Sequence, residues 1–143
     1  MEETHVWSEK LDLGHDVLDR EHHLQIALAS GLVDAIERGR PRLASRLLEQ
    51  LAGYNKAHFA GEELVMELAG YQLLGAHRQE HQAIVSQLEE IRYLHDRGEY
   101  DLAFPMAADL RNGLASHISA SDRRFVETSD TAGASKVAVA GSG

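Results

Sequence analysis

Cysteine is absent from the 143-residue sequence, and proline occurs only twice. Without thiolates the chain has no disulfide, iron–sulfur cluster, thiolate zinc site or cysteine nucleophile. Its uninterrupted apolar runs are a few residues long, far below the roughly 20 residues that a membrane-spanning helix needs. Residues 1–5 are polar and acidic and do not resemble a secretory signal. We therefore expect a cytoplasmic protein without a membrane segment.

Basic residues are in the minority, with 14 Lys and Arg against 23 Asp and Glu and a formal net charge of −9. A surface of this sign repels phosphate backbones and anionic lipids, so nucleic acid and membranes are poor candidates as partners. Apolar residues make up 43% of the chain, enough for the core of one domain. Few runs favour strands, and the composition predicts an all-α fold.

Four segments of roughly 20 residues have helical periodicity, at about 19–38, 42–68, 74–97 and 101–125. Asp16 is the candidate N-cap of the first segment, and glycines follow the first three segments. Because the connections are short, we predict an antiparallel up-down-up-down four-helix bundle. An N-terminal arm with Trp7 precedes it within a domain of residues 1–127. Residues 128–143 are predicted to be a flexible tail, a linker or a cloning remnant.

Histidine occurs nine times, and its placement carries most of the information. His58 and Glu62 are four residues apart on the second predicted helix, and His77 and His81 are four apart on the third. Residues at this spacing share one face of a helix, here beside the apolar stripe that faces the interior. A histidine on the first helix and a His/Asp pair on the fourth complete seven candidate metal ligands: His22, His58, Glu62, His77, His81, His117 and Asp122.

Five imidazoles and two carboxylates inside one bundle need a compensating partner, because each unsatisfied buried polar group costs on the order of 1–3 kcal/mol. A single His pair on a helix is a weak signal, but contributions from all four helices together predict a metal site. Seven nitrogen and oxygen ligands suit two ions. The ferritin-like Glu-x-x-His pattern occurs only at Glu2–His5, outside the helices. The alternative is a polar core without metal.

The remaining polar residues near these motifs receive simpler interpretations. Glu63 is predicted to point outward or to lie behind a ligand. Four further histidines are interpreted as solvated or helix-capping residues: His5, His15, His23 and His95.

The motifs resemble the hemerythrin family, in particular the bacterial hemerythrins, over about residues 7–125. The matching elements are Trp7, residues 19–22, residues 58–63, Gly70-Tyr71, residues 77–81, His117-Ile118 and Asp122. The resemblance implies a four-helix bundle around two non-haem iron ions joined by an oxo or hydroxo bridge. It also implies that His77, His81 and His117 bind one iron and that His22 and His58 bind the other. Glu62 and Asp122 would bridge the two ions.

With these ligands, one coordination position stays open on the iron that has two histidines, and in the family O2 binds there. The resemblance therefore implies reversible O2 binding for carriage, storage or sensing. Two alternatives stay open. One is a di-iron enzyme with peroxidase-like, nitric-oxide-handling or iron-oxidising activity. The other is the O2- or redox-sensing input domain of a longer signalling protein, with an output domain or partner reached through the tail.

Two positions depart from the bacterial pattern. Gly113 replaces a tryptophan that usually lies four residues before the histidine of the fourth helix, and Ile84 replaces a frequent phenylalanine. If both positions line the site, the cavity is wider than usual and the O2 adduct autoxidises faster. The alternative is that a neighbouring side chain fills the gap.

Overall fold

The computed structural model describes residues 11–129, and this part of the chain is helical without a strand. The four helices are α1 (Asp16–Glu37), α2 (Pro41–Leu68), α3 (Leu74–Asp96) and α4 (Tyr100–Ser116). A π-helix, His117–Asp122, follows α4 directly, and residues 123–129 are α-helical again. Consecutive helices pack against each other and α1 packs against α4. The four-helix bundle confirms the predicted fold class.

The loops between the helices are short and turn at glycine. Gly39, Gly70 and Gly98 have φ angles of 68°, 68° and 76°, in the left-handed region that favours glycine. Each lies just beyond the last turn of α1, α2 or α3. The chain therefore reverses after each helix, as the sequence predicted.

The start of α1 differs from the prediction that Asp16 is the N-cap. His15 is the cap, and its Nδ1 atom accepts a hydrogen bond from the amide of Leu18 at 3.2 Å. Asp19, in the first turn, accepts hydrogen bonds from the amides of Leu13 and His15. An imidazole thus satisfies one of the amides that a helix N-terminus leaves unpaired.

The apolar core and the candidate ligands occupy different parts of the bundle. Leu32, Leu51, Ile91 and Leu110, one from each helix, are 0% exposed and fill the interior. Each contributes about 1.5–3 kcal/mol by burial. The candidate ligands lie early in α1 and α3, late in α2 and after α4. Because neighbouring helices run in opposite directions, these positions meet at one end of the bundle.

Some predictions fall outside the described residues. These are residues 1–10 of the predicted N-terminal arm, which include Trp7, and residues 130–143 of the tail predicted at 128–143. The last helical segment continues to residue 129, beyond the predicted domain boundary at 127. Within residues 11–129, no helix combines the length and apolar character needed to cross a membrane.

Candidate metal centre

All seven candidate ligands converge on one buried cluster. Their exposed fractions are 7% or less, and their side chains come from all four helical segments of the bundle. The spacing of four residues places His58 above Glu62 on α2 and His77 above His81 on α3, so that each pair faces the interior. His22 reaches the same point from α1.

His117 and Asp122 reach the cluster through a change in helix type. Residues five apart on an α-helix point about 140° away from each other, because each residue turns the helix by about 100°. Here the segment His117–Asp122 is π-helical. Its hydrogen bonds join residues five apart, so both side chains face the interior. The sequence predicted a continuous α-helix and missed this turn.

Three histidines surround one side of the carboxylates. Glu62 Oε1 lies 3.0 Å from His77 Nε2 and 2.9 Å from His81 Nε2. Asp122 Oδ1 lies 2.9 Å from His77 Nε2 and 3.2 Å from His117 Nε2. The Nε2 atoms of His81 and His117 are themselves 3.1 Å apart. These five side chains can place their ligand atoms around one cation.

Two histidines face the other oxygen of each carboxylate. Glu62 Oε2 is 3.7 Å from His22 Nε2 and 3.6 Å from His58 Nε2, and Asp122 Oδ2 is 3.0 Å from His22 Nε2. His22, His58 and Glu62 form a second group able to hold a cation. Each carboxylate therefore turns one oxygen toward each histidine group, which is the arrangement that two bridged ions require.

Buried atoms without partners also fit metal ligation. Among the described residues, His58 Nε2 and Glu62 Oε2 lack a hydrogen-bond partner although both are buried. Leaving such atoms unpaired costs on the order of 1–3 kcal/mol each. An ion between them would satisfy both, because neutral imidazole and carboxylate are common ligands of divalent transition metals.

The electrostatics of the cluster couple imidazoles to carboxylates. Burial lowers the pKa of His22, but the carboxylates of Asp122 and Glu62 more than offset it and raise that pKa to about 9. Burial also lowers the pKa of His117, but the carboxylates of Asp122, Glu62 and Glu80 outweigh it and raise that pKa to about 10. Burial raises the pKa of Asp122, yet contacts with His117, His22 and His77 bring it down to about 2. The carboxylates are thus kept ionised, in the form that binds cations.

Three further glutamates form hydrogen bonds with candidate ligand histidines. In each pair the histidine Nδ1 donates to a carboxylate: His58 to Glu21 at 2.6 Å, His81 to Glu63 at 2.6 Å and His117 to Glu80 at 2.7 Å. A proton held on Nδ1 leaves the Nε2 lone pair directed at the centre of the cluster. These glutamates therefore set the tautomer and the orientation of three of the five imidazoles.

Sequence reasoning missed two of these supporting residues and left Glu63 open. A signal was present, since Glu21, Glu63 and Glu80 are each adjacent in sequence to a candidate ligand. Each one supports a histidine of the next helix rather than its own neighbour. Finding them requires the relative rotation of adjacent helices, which spacing along one helix does not provide.

Glu63→Gln is expected to lower the metal affinity of the cluster by about 10-fold, because the amide holds the His81 imidazole less strongly than the carboxylate does. Glu67→Gln is the matched control, since Arg78 contacts both glutamates, at 3.3 Å and 3.4 Å, and Glu67 contacts no ligand histidine. Competition with a chelator measures the affinity. Equal affinities for the two variants would contradict the supporting role of Glu63.

The fold and the cluster together define a class of protein: a four-helix bundle that encloses a histidine- and carboxylate-rich metal-binding cluster. The family described as "Hemerythrin HHE cation binding domain" matches residues 13–128. The chain belongs to the hemerythrin family.

Individual relatives agree with this assignment. A bacteriohemerythrin of Pseudomonas aeruginosa is 31% identical over 122 residues, which is 85% of this chain and 79% of that protein. A bacteriohemerythrin of Stenotrophomonas maltophilia is 29% identical with the same coverage. Myohemerythrin-1 of Phascolopsis gouldii is 27% identical over 86% of this chain and 92% of its own length. The comparison with solved structures found no match.

Proposed function

We propose that the seven side chains hold two non-haem iron ions and that the protein binds O2 reversibly. Family membership and the buried cluster support this proposal. When bound, the two irons would supply the electrons that O2 accepts on binding and returns on release. The chain's contribution is to fix the donors, to keep the carboxylates ionised and to control what reaches the centre.

The unequal sharing of histidines carries the proposal. Three imidazoles lie on one side of the two buried carboxylates and two on the other. Two octahedral ions offer twelve positions. Five imidazoles, four carboxylate oxygens and the two ends of a bridging oxo or hydroxo group would fill eleven of them. By this count, the side of the cluster with only His22 and His58 would keep room for one small diatomic ligand.

An apolar pocket borders that side of the cluster. It has a volume of about 520 Å³ and includes His58 and Glu62. Most of its other lining residues are apolar: Val17, Leu18, Ala57, Val65, Ala69, Phe125 and Val126. The Tyr54 hydroxyl also lines it but donates to the backbone carbonyl of Glu21 at 2.9 Å. Such walls admit O2 and offer few protons to a bound ligand.

Iron analysis and visible spectroscopy test the proposal. We expect two irons per chain and a spectrum that changes on exposure to O2 and returns when O2 is removed. Azide should compete for the free position and give a charge-transfer band in the oxidised protein. A single ion per chain, or an O2-induced spectrum that never reverses, would contradict reversible O2 binding at a di-iron centre.

A groove at Gly113 is the observation that favours the alternative function, a di-iron enzyme. It has a volume of about 350 Å³ and is lined by Ile84, Gly113, His117 and Glu80, among others. A Cβ atom built at Gly113 meets no atom within 4 Å, so no neighbouring side chain fills this position. Access from this side favours entry of water or small solutes. Turnover with peroxide or nitric oxide beyond stoichiometric amounts would favour an enzyme over a carrier.

Gly113→Trp is expected to slow autoxidation of the O2 adduct several-fold, because the indole would cover the groove beside His117 and Glu80. The autoxidation rate is measured from the decay of the oxygenated form's visible spectrum, followed by stopped-flow or by slower recording. Gly113→Ala is the control for the helix itself: it leaves the groove open and should raise stability by about 1 kcal/mol. Equal decay rates for the tryptophan variant and the natural chain would remove the groove from the explanation.

A further inference from the structure

The end of the bundle opposite the metal cluster carries an arginine-rich segment in an otherwise acidic protein. Residues 38–46 contain four arginines and no acidic residue, although the whole chain has a net charge of −9. Arg38 pairs with Asp34 at 2.7 Å. Arg40, Arg42 and Arg46 form no ion pair or hydrogen bond through their side chains with the described residues.

These arginines surround a helix N-terminus, where positive charge is unfavourable. α2 begins at Pro41 without a side-chain cap and without an acidic residue in its first turn. The aligned peptide dipoles already make this end of the helix positive, so the added cations of Arg40 and Arg42, at the N-cap and in the first turn, destabilise it unless an anion is present. The local sequence is the opposite of what helix stability alone favours.

A pocket lies against this helix end. It has a volume of about 470 Å³, and its α2 wall is formed by Pro41, Arg42, Ser45 and Arg46. The spacing of three and four residues places Arg42, Ser45 and Arg46 on one face of the helix. His95, Asp96 and Tyr100 close the pocket from the end of α3 and the start of α4.

His95 is a second, independent observation that points to a polar ligand in this pocket. The sequence predicted a solvated or capping residue, but His95 is only 4% exposed and its ring lies 5.0 Å from the ring of Tyr100. Neither of its ring nitrogens has a hydrogen-bond partner among the described residues. An imidazole always carries at least one N–H, so this wall of the pocket contains an unpaired donor.

We propose that this pocket binds a phosphate-type dianion, either inorganic phosphate or the phosphate group of a small phosphomonoester. Arg42 and Arg46 would donate to its oxygens, and Ser45 and His95 would complete the donor set. Asp96 is the one carboxylate in the wall. Arg42 and Arg46 outnumber it and leave the wall one net positive charge, opposite in sign to the −1.5 to −2 charge, roughly, that a phosphomonoester carries near neutral pH.

The site is separate from the metal cluster. His95 follows the ligand His81 by fourteen residues on the same helix, a distance of about 21 Å at 1.5 Å per residue. Anion binding at this pocket can therefore be measured separately from iron and O2 binding. Failure of one proposal would leave the other standing.

Calorimetric titration of the iron-loaded full chain with inorganic phosphate, and separately with phenyl phosphate, tests the proposal at constant ionic strength. We expect saturable binding that weakens by about 10-fold or more in R42Q/R46Q. The control R20Q/R92Q removes the same charge outside the pocket and should bind as the natural chain does. Tighter binding of phenyl phosphate would indicate an organic phosphate, and tighter binding of inorganic phosphate the free ion.

Two outcomes would overturn the proposal. One is the absence of saturable binding by the natural chain. The other is equal binding by R42Q/R46Q, which would place the anion elsewhere, for example at the iron centre.

His95→Leu gives a second readout through thermal unfolding. Because it removes an unpaired buried donor, this variant should unfold at a higher temperature than the natural chain in phosphate-free buffer. It should also lose most of the rise in Tm that phosphate gives the natural chain. A lower Tm together with an unchanged response to phosphate would show that His95 has only a packing role and takes no part in the site.

Discussion

Glu62→Ala is expected to lower the iron content from two ions per chain to one or none. Glu62 belongs to both groups of side chains that can hold a cation. Its Oε1 atom lies 3.0 Å from His77 Nε2, while its Oε2 atom lies 3.6 Å from His58 Nε2. If Glu62 bridges two ions, removing this carboxylate would take one oxygen ligand from each of them. Metal analysis of protein prepared with excess ferrous iron measures the loss.

Controls separate a lost ligand from a lost fold. Glu67→Ala removes an exposed glutamate from the same helix and should keep two irons. His23→Ala removes the exposed neighbour of His22 and should do the same. Far-ultraviolet circular dichroism checks that Glu62→Ala retains its helices. A helical Glu62→Ala protein with two irons would contradict the bridging role. Asp122→Ala, which removes the other carboxylate between the two histidine groups, should repeat the loss.

The convergence of the seven side chains was predictable because most of it is local geometry. A spacing of four residues places His58 with Glu62 and His77 with His81, whatever the rest of the fold does. Short loops then align the ends of the antiparallel helices so that both pairs meet. The fold class followed from the same periodicity, and the structure confirms it.

The parts that sequence reasoning missed depend on contacts between helices. The π-helical turn that aims Asp122 inward cannot be told from an α-helix by spacing, since both continue the same apolar pattern. Glu21 and Glu80 support histidines on neighbouring helices, which requires the helix rotations. His95 was interpreted as solvated or capping because a lone polar residue at a helix end usually is, but Tyr100 packs over its ring.

The helical periodicity of α2 also predicted a longer buried apolar stripe near the cluster than the structure has. Val65 and Leu68 continue the apolar register of α2, yet they are 54% and 80% exposed. Val65 lines the pocket beside His58 instead of the core. The residue spacing gives a face of the helix, but how far along the helix that face is covered depends on where neighbouring helices end.

His58→Ala is expected to abolish reversible O2 binding while one iron remains. The substitution leaves His22 as the only imidazole on its side of the carboxylates, whereas His77, His81 and His117 keep their ligand group. The ion beside the apolar pocket is therefore the one that should be lost. Iron analysis should give about one ion per chain, and the visible spectrum should no longer change reversibly with O2.

A matched substitution in the three-histidine group tests whether the two histidine groups differ in their role in O2 binding. His81→Ala removes an imidazole from the three-histidine group and leaves His22 and His58 beside the pocket. If O2 binds on the two-histidine side, His81→Ala should disturb O2 binding because the neighbouring iron is lost. Added imidazole should restore O2 binding in this variant only weakly. In His58→Ala, added imidazole enters the space left in the apolar pocket and should restore more of the O2 response. The reverse ranking of the two rescues would contradict the assignment of the accessible side of the cluster to His22 and His58.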